Sequence, residues 1–300
     1  MELVLNIASI EGRFGLEKAA ELAKNAGFTA VDYSLGSMDR PGTPLNGDGW
    51  EDIARDIRKK IENAGLKIVQ THTPFAFKNW SDPETYETFI YPTIVRSIIV
   101  SAMLGAKVAV VHPLHHFPYH GHEEEIFEKN MAFYRSLIPV CEKYDIKVGI
   151  ENMFQVDPRR KHIVFDTCGT KEEFVRYIDT LNDPHMIATL DTGHIGLPLG
   201  DDEAWDVARA LGPRLQSLHV HDNDYRGDWH SLPYLGDINW TELTKALGEI
   251  DYQGDFTYEV GGFIRSNMDD EFVPIGLKYM ADVGKHLMDL IDRNRPKSKD

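Results

Sequence analysis

Four residues of types that bind divalent cations each end a short apolar run of this sequence. They are Glu151, Asp191, His219 and Glu259, at the ends of the runs KVGIE, MIATLD, LQSLH and FTYE. Such runs are typical of buried strands, which would bring the four side chains to the same end of one sheet. Three carboxylates and an imidazole are costly to bury together unless something pairs them. The pattern therefore predicts a divalent cation held by these four residues, with Glu151 and Glu259 also available for proton transfer.

Five further residues are of metal-binding type. His72 and His112 end two other apolar runs, His194 follows Asp191 in LDTGH, and Asp228 and His230 lie in RGDWH, in the loop after the run that ends at His219. They would supply a second metal site or, without a second cation, would hydrogen-bond the hydroxyls of a polar substrate. A site of mixed oxygen and nitrogen donors suits Mn²⁺, Mg²⁺ or Co²⁺, whereas a histidine-rich second site favours Zn²⁺. His221 and Asp222, which closely follow His219, are of ligand type too.

The elements that must position these residues alternate between β-rich and helical stretches. The predicted strands are Leu3–Ala8, Ala30–Ser34, Lys67–His72, Lys107–His112, Lys147–Glu151, Met186–Asp191, Leu215–Val220 and Phe256–Val260. Alternating strands and helices predict a parallel sheet, and eight such units predict a closed (β/α)8 TIM barrel, which is an α/β fold. The candidate ligands would then lie at the carboxyl ends of the strands, where barrel enzymes hold their active sites.

Helical periodicity and turn residues between the strands support this fold. The segments 16–27 and 52–65 have apolar residues on one face and charges on the other. Glycines in NAGF, NAGL and LGAK stand where a helix should end in a left-handed cap. Thr170 and Glu173 have the spacing of a capping box. Because no linker divides the chain, we expect a single domain over residues 1–300, with a polar tail at 292–300.

The charge balance argues against a polyanionic partner. The chain has 32 basic and 48 acidic residues, a net charge of −16, whereas nucleic acids and anionic membranes attract an excess of Lys and Arg. The only dense basic segment before the C-terminal tail is 159–162. No run approaches the roughly 20 apolar residues of a membrane span, and two cysteines without a motif favour a reducing cytoplasm. A small polar substrate fits these properties best.

Taken together, the strand-end motifs resemble those of the xylose-isomerase-like, or endonuclease-IV-like, TIM-barrel superfamily. The resemblance rests on DTGH (191–194), on LHxxD (218–222) and on the glutamate that ends the last strand, and its strand order extends over essentially the whole chain. It implies a common metal site formed by Glu151, Asp191, His219 and Glu259. The endonuclease branch holds three zinc ions with nine residues. The nine matching positions here are His72, His112, Glu151, Asp191, His194, His219, Asp228, His230 and Glu259.

This superfamily contains sugar isomerases, ketose epimerases, inosose dehydratases and zinc-dependent apurinic endonucleases. The resemblance therefore implies a metal-dependent sugar isomerase or epimerase that transfers protons through an enediolate. The same enolate chemistry would serve a dehydratase or lyase acting on a keto-sugar, and a zinc-dependent phosphodiesterase is the further alternative. An intact pair of carboxylates argues against a sugar-sensing barrel without catalysis. The resemblance also implies assembly into dimers or tetramers.

Residues around the predicted mouth of the barrel are candidates for substrate binding. The loop HPLHHFPYHGHEEE (112–125) is rich in histidine. We expect His115 or His116 to act as a base or to orient the substrate, because imidazole titrates near neutral pH. Trp229 would stack on a sugar. Ketose 3-epimerases carry an arginine six residues after the histidine of the seventh strand, where this chain has Tyr225, with Arg226 one position later.

Overall fold

The computed structural model describes residues 1–75, 82–115 and 118–297, and within them eight parallel strands form one sheet. These strands are β1 (Leu3–Asn6), β2 (Ala30–Ser34), β3 (Lys67–His72), β4 (Val108–Val110), β5 (Lys147–Glu151), β8 (Met186–Asp191), β9 (Leu215–His219) and β10 (Phe256–Tyr258). A short antiparallel hairpin, β6 (Phe154–Val156) and β7 (Ile163–Phe165), lies between β5 and β8 in the chain. The predicted (β/α)8 fold is confirmed.

The sheet closes into a barrel between β9 and β10. Strand neighbours follow the order β10-β1-β2-β3-β4-β5-β8-β9. Beyond β9, the N–H of Val220 donates to the carbonyl of Thr257 at 2.8 Å, and the N–H of Glu259 donates to the carbonyl of Val220 at 3.1 Å. We call this closure, formed by Val220 with Thr257 and Glu259, the barrel seam. Through this seam, the eight strands form one closed ring of hydrogen-bonded neighbours.

The helices surround the strands. They are α1 (Ala8–Phe14), α2 (Leu16–Ala26), α3 (Trp50–Asn63), α4 (Pro83–Thr85), α5 (Tyr91–Leu104), α6 (Glu123–Tyr144), α7 (Lys171–Leu181), α8 (Ala204–Leu211), α9 (Trp240–Glu249) and α10 (Val273–Arg293), with a π-helical turn at Tyr86–Ile90 and 3₁₀ turns at Gly36–Asp39, Pro44–Asn46 and Gly212–Arg214. Their apolar faces pack inward: in α2, Ala19, Ala20 and Ala23 are fully buried. This burial explains the predicted helical periodicity.

Helix ends follow the predicted signals, with one exception. Gly27 and Gly105 adopt left-handed conformations, with φ of 105° and 94°, directly after α2 and α5. Oγ1 of Thr170 accepts from the N–H of Glu173 at 3.3 Å, as in a capping box. The carboxylate of Glu173, however, accepts a hydrogen bond from the hydroxyl of Tyr119. Thus the side-chain half of the predicted capping box is replaced by a contact between the first turn of α7 and the loop before α6.

Two peripheral segments differ from what the sequence predicts. Pro83–Leu104 has the length and mean hydropathy, 1.3, of a helix that could cross a membrane, but the core helices of barrels share these properties. Here Ile94, Ile98 and Leu104 are buried against the barrel. At the C-terminus, Arg295 donates to the carboxylate of Asp251 at 2.6 Å, so the segment predicted as a tail is attached to the barrel as far as this residue.

Candidate functional site

The carboxyl ends of the strands surround a cavity of about 350 Å³. Its walls contain seven of the nine predicted ligand residues: His72, His112, Glu151, His194, Asp228, His230 and Glu259. The other two, Asp191 and His219, are fully buried beside them. A larger crevice of about 920 Å³ lies around the starts of the strands, at Val69, Lys107 and Lys147, and none of the nine is among its described lining residues. The predicted ligand residues are therefore gathered around the smaller cavity, at the carboxyl ends of the strands.

The four residues of the primary predicted site converge on one point. Glu151, Asp191, His219 and Glu259 each offer a donor atom, and these atoms lie within 4.8 Å of one another. Nδ1 of His219 is 3.1 Å from Oε1 of Glu151 and 3.2 Å from Oε2 of Glu259, yet it has no hydrogen-bond partner among the described residues. Buried donors that converge without bonding one another are suited to a cation. This donor set therefore fits the predicted metal.

Burial and neighbouring charges shift the pKa values of these groups in opposite directions. Burial lowers the pKa of His219, but the carboxylates of Glu151 and Glu259 outweigh it and raise that pKa to about 10. Burial raises the pKa of Glu151, but the charge of His219 and the proximity of His112 hold that pKa well below its usual value. Glu151 is therefore a charged carboxylate that can bind a cation.

His112 and His72 face Glu151 from the other side. Burial lowers the pKa of His112 to about 4, so this imidazole is neutral near pH 7, and its Nε2 lies 2.7 Å from Oε2 of Glu151. Nε2 of His72 is 3.7 Å from the same oxygen. His72, Glu151 and His219 also form a group whose donor atoms lie within 4.8 Å of one another. Glu151 is thus shared between two neighbouring sets of donors.

A separate group of donors consists of His194, His221, Asp228 and His230. Nε2 of His230 lies 2.9 Å from Oδ2 of Asp228, and Nδ1 of His230 donates to the carbonyl of Glu259 at 2.7 Å. Burial lowers the pKa of His230, but Asp228 and Glu259 outweigh it and raise that pKa to about 9. The five residues predicted as one second site are therefore divided, with His72 and His112 on one side of the cavity and the other three here.

Residues 20–272 match the model of the xylose isomerase-like TIM barrel. The chain belongs to this family. The match includes every barrel strand except β1, and it includes all nine predicted ligand residues.

Two of the proteins with sequences similar to this xylose isomerase-like chain have named activities. An uncharacterized protein of Methanocaldococcus jannaschii is 28% identical over 207 residues, which are 68% of this chain and 67% of that one. A D-psicose 3-epimerase of Enterocloster bolteae is 29% identical over 120 residues, 40% of this chain and 35% of that protein. A mannonate dehydratase of Brachyspira hyodysenteriae is 26% identical over 147 residues, 46% and 40% of the two chains.

The fold is also similar to that of solved structures. A D-tagatose 3-epimerase-like protein superimposes with a TM-score of 0.74 at 20% identity, and the alignment covers 98% of this chain and 99% of that one. This similarity shows that the barrel fold extends over nearly the entire chain.

His221 is a member of the histidine-rich donor group for which sequence analysis predicted no specific role. It is fully buried, and its ring stacks on that of His230 with centroids 4.1 Å apart. The available signal was its spacing: two residues after His219, its side chain should lie on the same face of the strand. The ring occupies the space beside Gly193 of the DTGH motif, where a Cβ atom would overlap it.

The residues predicted to bind substrate are distributed unevenly. His115 lines the cavity, and its Nδ1 lies 2.6 Å from Oδ2 of Asp166, a residue that sequence reasoning missed. His116 lies outside the described residues. Trp229 is half exposed and donates from Nε1 to Asp224 at 2.7 Å, and Arg226 is exposed. Neither is among the described lining residues, so their role in binding substrate stays a prediction.

Proposed function

We propose that this protein is a metal-dependent sugar isomerase or epimerase that moves protons on a ketose or a related hydroxyketone. The observation that carries the proposal is that Glu151 and Glu259 both lie close to Nδ1 of His219, at 3.1 and 3.2 Å. Two carboxylates that share one cation site can serve as a base and as its conjugate acid on the same substrate. The named activity of the D-psicose 3-epimerase relative supports the same reaction class.

Glu151, Asp191, His219 and Glu259 would hold the cation. Their three carboxylates and one imidazole suit Mn²⁺, Mg²⁺ or Co²⁺, and the histidine-rich group around Asp228 suits Zn²⁺. When bound, a divalent cation would polarise the substrate carbonyl and stabilise the negative charge that develops on its oxygen. Of the two proton carriers, Glu259 has the more accessible side chain, with 21% of its surface exposed, against 1% for Glu151.

The two glutamates would divide the proton transfer. One removes the proton from the carbon next to the carbonyl, and the other, or the same one after rotation of the intermediate, returns it. Return to the opposite face of that carbon inverts it, which is epimerisation. Return to the former carbonyl carbon moves the carbonyl, which is isomerisation. The hydrogen bond from His112 to Glu151 holds this carboxylate in place during either reaction.

A second candidate is elimination of water from a keto-sugar, which begins with the same loss of a carbon-bound proton. The named activity of the mannonate dehydratase relative favours it.

A third candidate, zinc-dependent hydrolysis of a phosphodiester, is favoured by the three groups of donors around the cavity. Several bound cations would activate water and stabilise the leaving oxygen. The net charge of −16 argues against a polyanionic substrate.

The experiment that tests the proposal combines metal analysis with proton exchange. Protein purified without chelator should contain about one Mn, Mg or Co ion per chain, and with a ketohexose such as D-fructose in deuterium oxide it should introduce deuterium next to the carbonyl. Glu259→Gln should abolish this exchange while the variant remains folded. The matched control is Glu123→Gln, which changes a half-exposed carboxylate at the start of α6 and should exchange normally.

Exchange retained by Glu259→Gln would contradict the proposed roles. About three zinc ions per chain, together with cleavage of an abasic oligonucleotide, would replace the proposal by the phosphodiesterase. Loss of water from the ketose, detected as a dehydrated product, would replace it by the dehydratase.

A further inference from the structure

His115 and Asp166 form a pair of acid and imidazole in the wall of the active-site cavity. Nδ1 of His115 lies 2.6 Å from Oδ2 of Asp166. Asp166 is completely buried, and its other carboxylate oxygen accepts from the N–H of Thr167 at 2.7 Å. His115 keeps 23% of its side chain exposed and lines the same cavity as Glu151 and Glu259. A buried, anchored carboxylate therefore holds an imidazole at the surface where substrate would bind.

This geometry determines which nitrogen of His115 carries the proton. A carboxylate accepts hydrogen bonds, so Nδ1 of the neutral imidazole donates its proton to Asp166 and Nε2 is the basic nitrogen. Because Oδ1 of Asp166 is held by Thr167, the orientation of the ring does not depend on substrate. These are the requirements for a group that exchanges protons with a bound molecule.

The pair is independent of the proposed glutamate pair. His115 belongs to the segment between β4 and α6, and Asp166 directly follows β7. Glu151 ends β5 and Glu259 directly follows β10, and both lie close to Nδ1 of His219. The cavity thus has one set of groups at the cation site and a further proton carrier on a different part of its wall.

We propose that His115, positioned by Asp166, transfers a proton at a hydroxyl oxygen of the substrate, while the glutamates act at carbon. This inference rests on the proposed function and restricts it. Epimerisation removes and returns a proton at one carbon and leaves every oxygen as it was. A dedicated acid–base group for oxygen is needed only where an O–H bond is also formed or broken, which is the case in isomerisation and in elimination.

Isomerisation and elimination each conserve protons and electrons. In isomerisation, Nε2 of His115 takes the proton of the hydroxyl whose C–O becomes the new carbonyl, and then gives it to the former carbonyl oxygen. In elimination, the protonated imidazole gives its Nε2 proton to the hydroxyl β to the carbonyl. That oxygen leaves as water with the electrons of its C–O bond, the electrons of the broken C–H bond form the new double bond, and a glutamate keeps the carbon's proton. Solvent then reprotonates His115 and deprotonates the glutamate.

The test separates proton transfer at carbon from proton transfer at oxygen. His115→Gln keeps an amide N–H that can donate to Asp166, so the loop stays attached, but the amide cannot titrate. With D-fructose, Mn²⁺ and deuterium oxide, the variant should retain carbon exchange into recovered ketose within a factor of three or so, while aldose or dehydrated product falls by about 10²-fold or more. Asp166→Asn should lower product formation in the same way, and the double variant should be no worse than His115→Gln.

A matched control is available on the same loop. His120 also pairs with a carboxylate, with Nδ1 3.0 Å from Oε1 of Glu123, but its side chain is 98% exposed and outside the cavity. His120→Asn should change neither readout. A second, substrate-free readout is the ¹⁵N spectrum of the His115 ring, which should show protonated Nδ1 in the wild type and lose that preference in Asp166→Asn.

Each remaining outcome overturns the inference. If His115→Gln forms all products at the wild-type rate, or if it loses exchange and product equally, the pair does not act at oxygen. An epimer as the only wild-type product would do the same, as would a neutral ring protonated at Nε2. A wild type that exchanges no carbon-bound proton would instead refute the proposed function itself, and this inference with it.

Discussion

Nε2 of His221 lies 2.9 Å from Oδ1 of Asp191 and 3.6 Å from Oδ1 of Asp228. One imidazole is therefore in contact with a member of each of the two donor groups. Asp191 belongs to the primary site, and Asp228 belongs to the histidine-rich group. A change at His221 should consequently affect both groups, whichever cations they hold.

Replacing His221 tests this connection. His221→Gln should fold normally but bind its cation about 10- to 100-fold more weakly, because Asp191 loses the partner that orients it. Calorimetric titration of the metal-free protein with Mn²⁺ and Zn²⁺ provides the measurement. His185→Gln is the control, since His185 also pairs with an aspartate, Asp183, at 3.0 Å but at the opposite end of the barrel. Unchanged affinity in His221→Gln would show that the contact with Asp191 is incidental.

Gly193 should tolerate no side chain. A Cβ atom there would overlap the His221 ring, and both residues are buried. Gly193→Ala should therefore lower the free energy of unfolding by roughly 1–3 kcal/mol, as is usual when a packed site is overfilled. Urea denaturation of Gly193→Ala and of Gly193→Ala/His221→Ala measures it. The double variant should suffer less than the sum of its single changes, because removal of the ring makes room for the methyl group; simple additivity would refute this explanation.

Cation binding should become tighter as the pH rises. In the metal-free protein the pKa of His219 is raised to about 10 and that of His230 to about 9, so both imidazoles carry protons at pH 7 that a cation must displace. Calorimetry at pH 7 in two buffers of different ionisation enthalpy should reveal release of about one proton for each histidine that becomes a ligand. The release should decline as the pH passes 9 to 10. Binding without proton release at pH 7 would contradict these ligand assignments.

Glu173 should make the protein less stable at neutral pH than at acidic pH. Burial raises the pKa of its carboxyl from 4.5 to about 7. The folded protein therefore keeps a proton that the unfolded chain releases, and the resulting stabilisation is complete below pH 4.5 and is lost as the pH rises to about 7. Glu173→Gln, whose amide oxygen can still accept from Tyr119, should raise the free energy of unfolding above pH 7 by roughly 1–3 kcal/mol. At pH 4 the variant and the wild type should unfold alike in urea, and a difference that is the same at both pH values would exclude this cause.

Much of the fold was predictable because each βα unit has strong local signals. The bounds of β2, β3, β5 and β8 coincide with the predicted ones, since apolar, β-rich runs there follow helix-ending turns. The predicted strands that end at His112 and Val260 are too long, and the observed strands end at Val110 and Tyr258. Where a strand ends depends on how far its neighbours continue to pair with it, and this is not a local property of the sequence.

The residues of the candidate site that were predictable from the sequence lie mostly close to strand ends. Seven of the nine ligand residues lie within three positions of a strand end, so barrel geometry gathers them. The other two, Asp228 and His230, lie in the loop after β9. The contact between His115 and Asp166 joins residues 51 positions apart, both outside the barrel strands. No periodicity relates two loop residues, so this pair required the three-dimensional structure. His221 had the correct spacing from His219, but its role depends on Asp228, whose position is determined by the loop.

The barrel seam has a mechanical consequence. Val220, whose backbone joins β9 to β10, stands between His219 and His221, and its carbonyl accepts from the N–H of Glu259. Few backbone hydrogen bonds therefore hold the barrel seam, and candidate ligands from both strands flank it. A cation bound by both His219 and Glu259 would cross-link β9 and β10. Removal of the cation should then destabilise the seam locally, so that the amide hydrogens of Val220 and Glu259 become the first in the barrel to exchange with solvent.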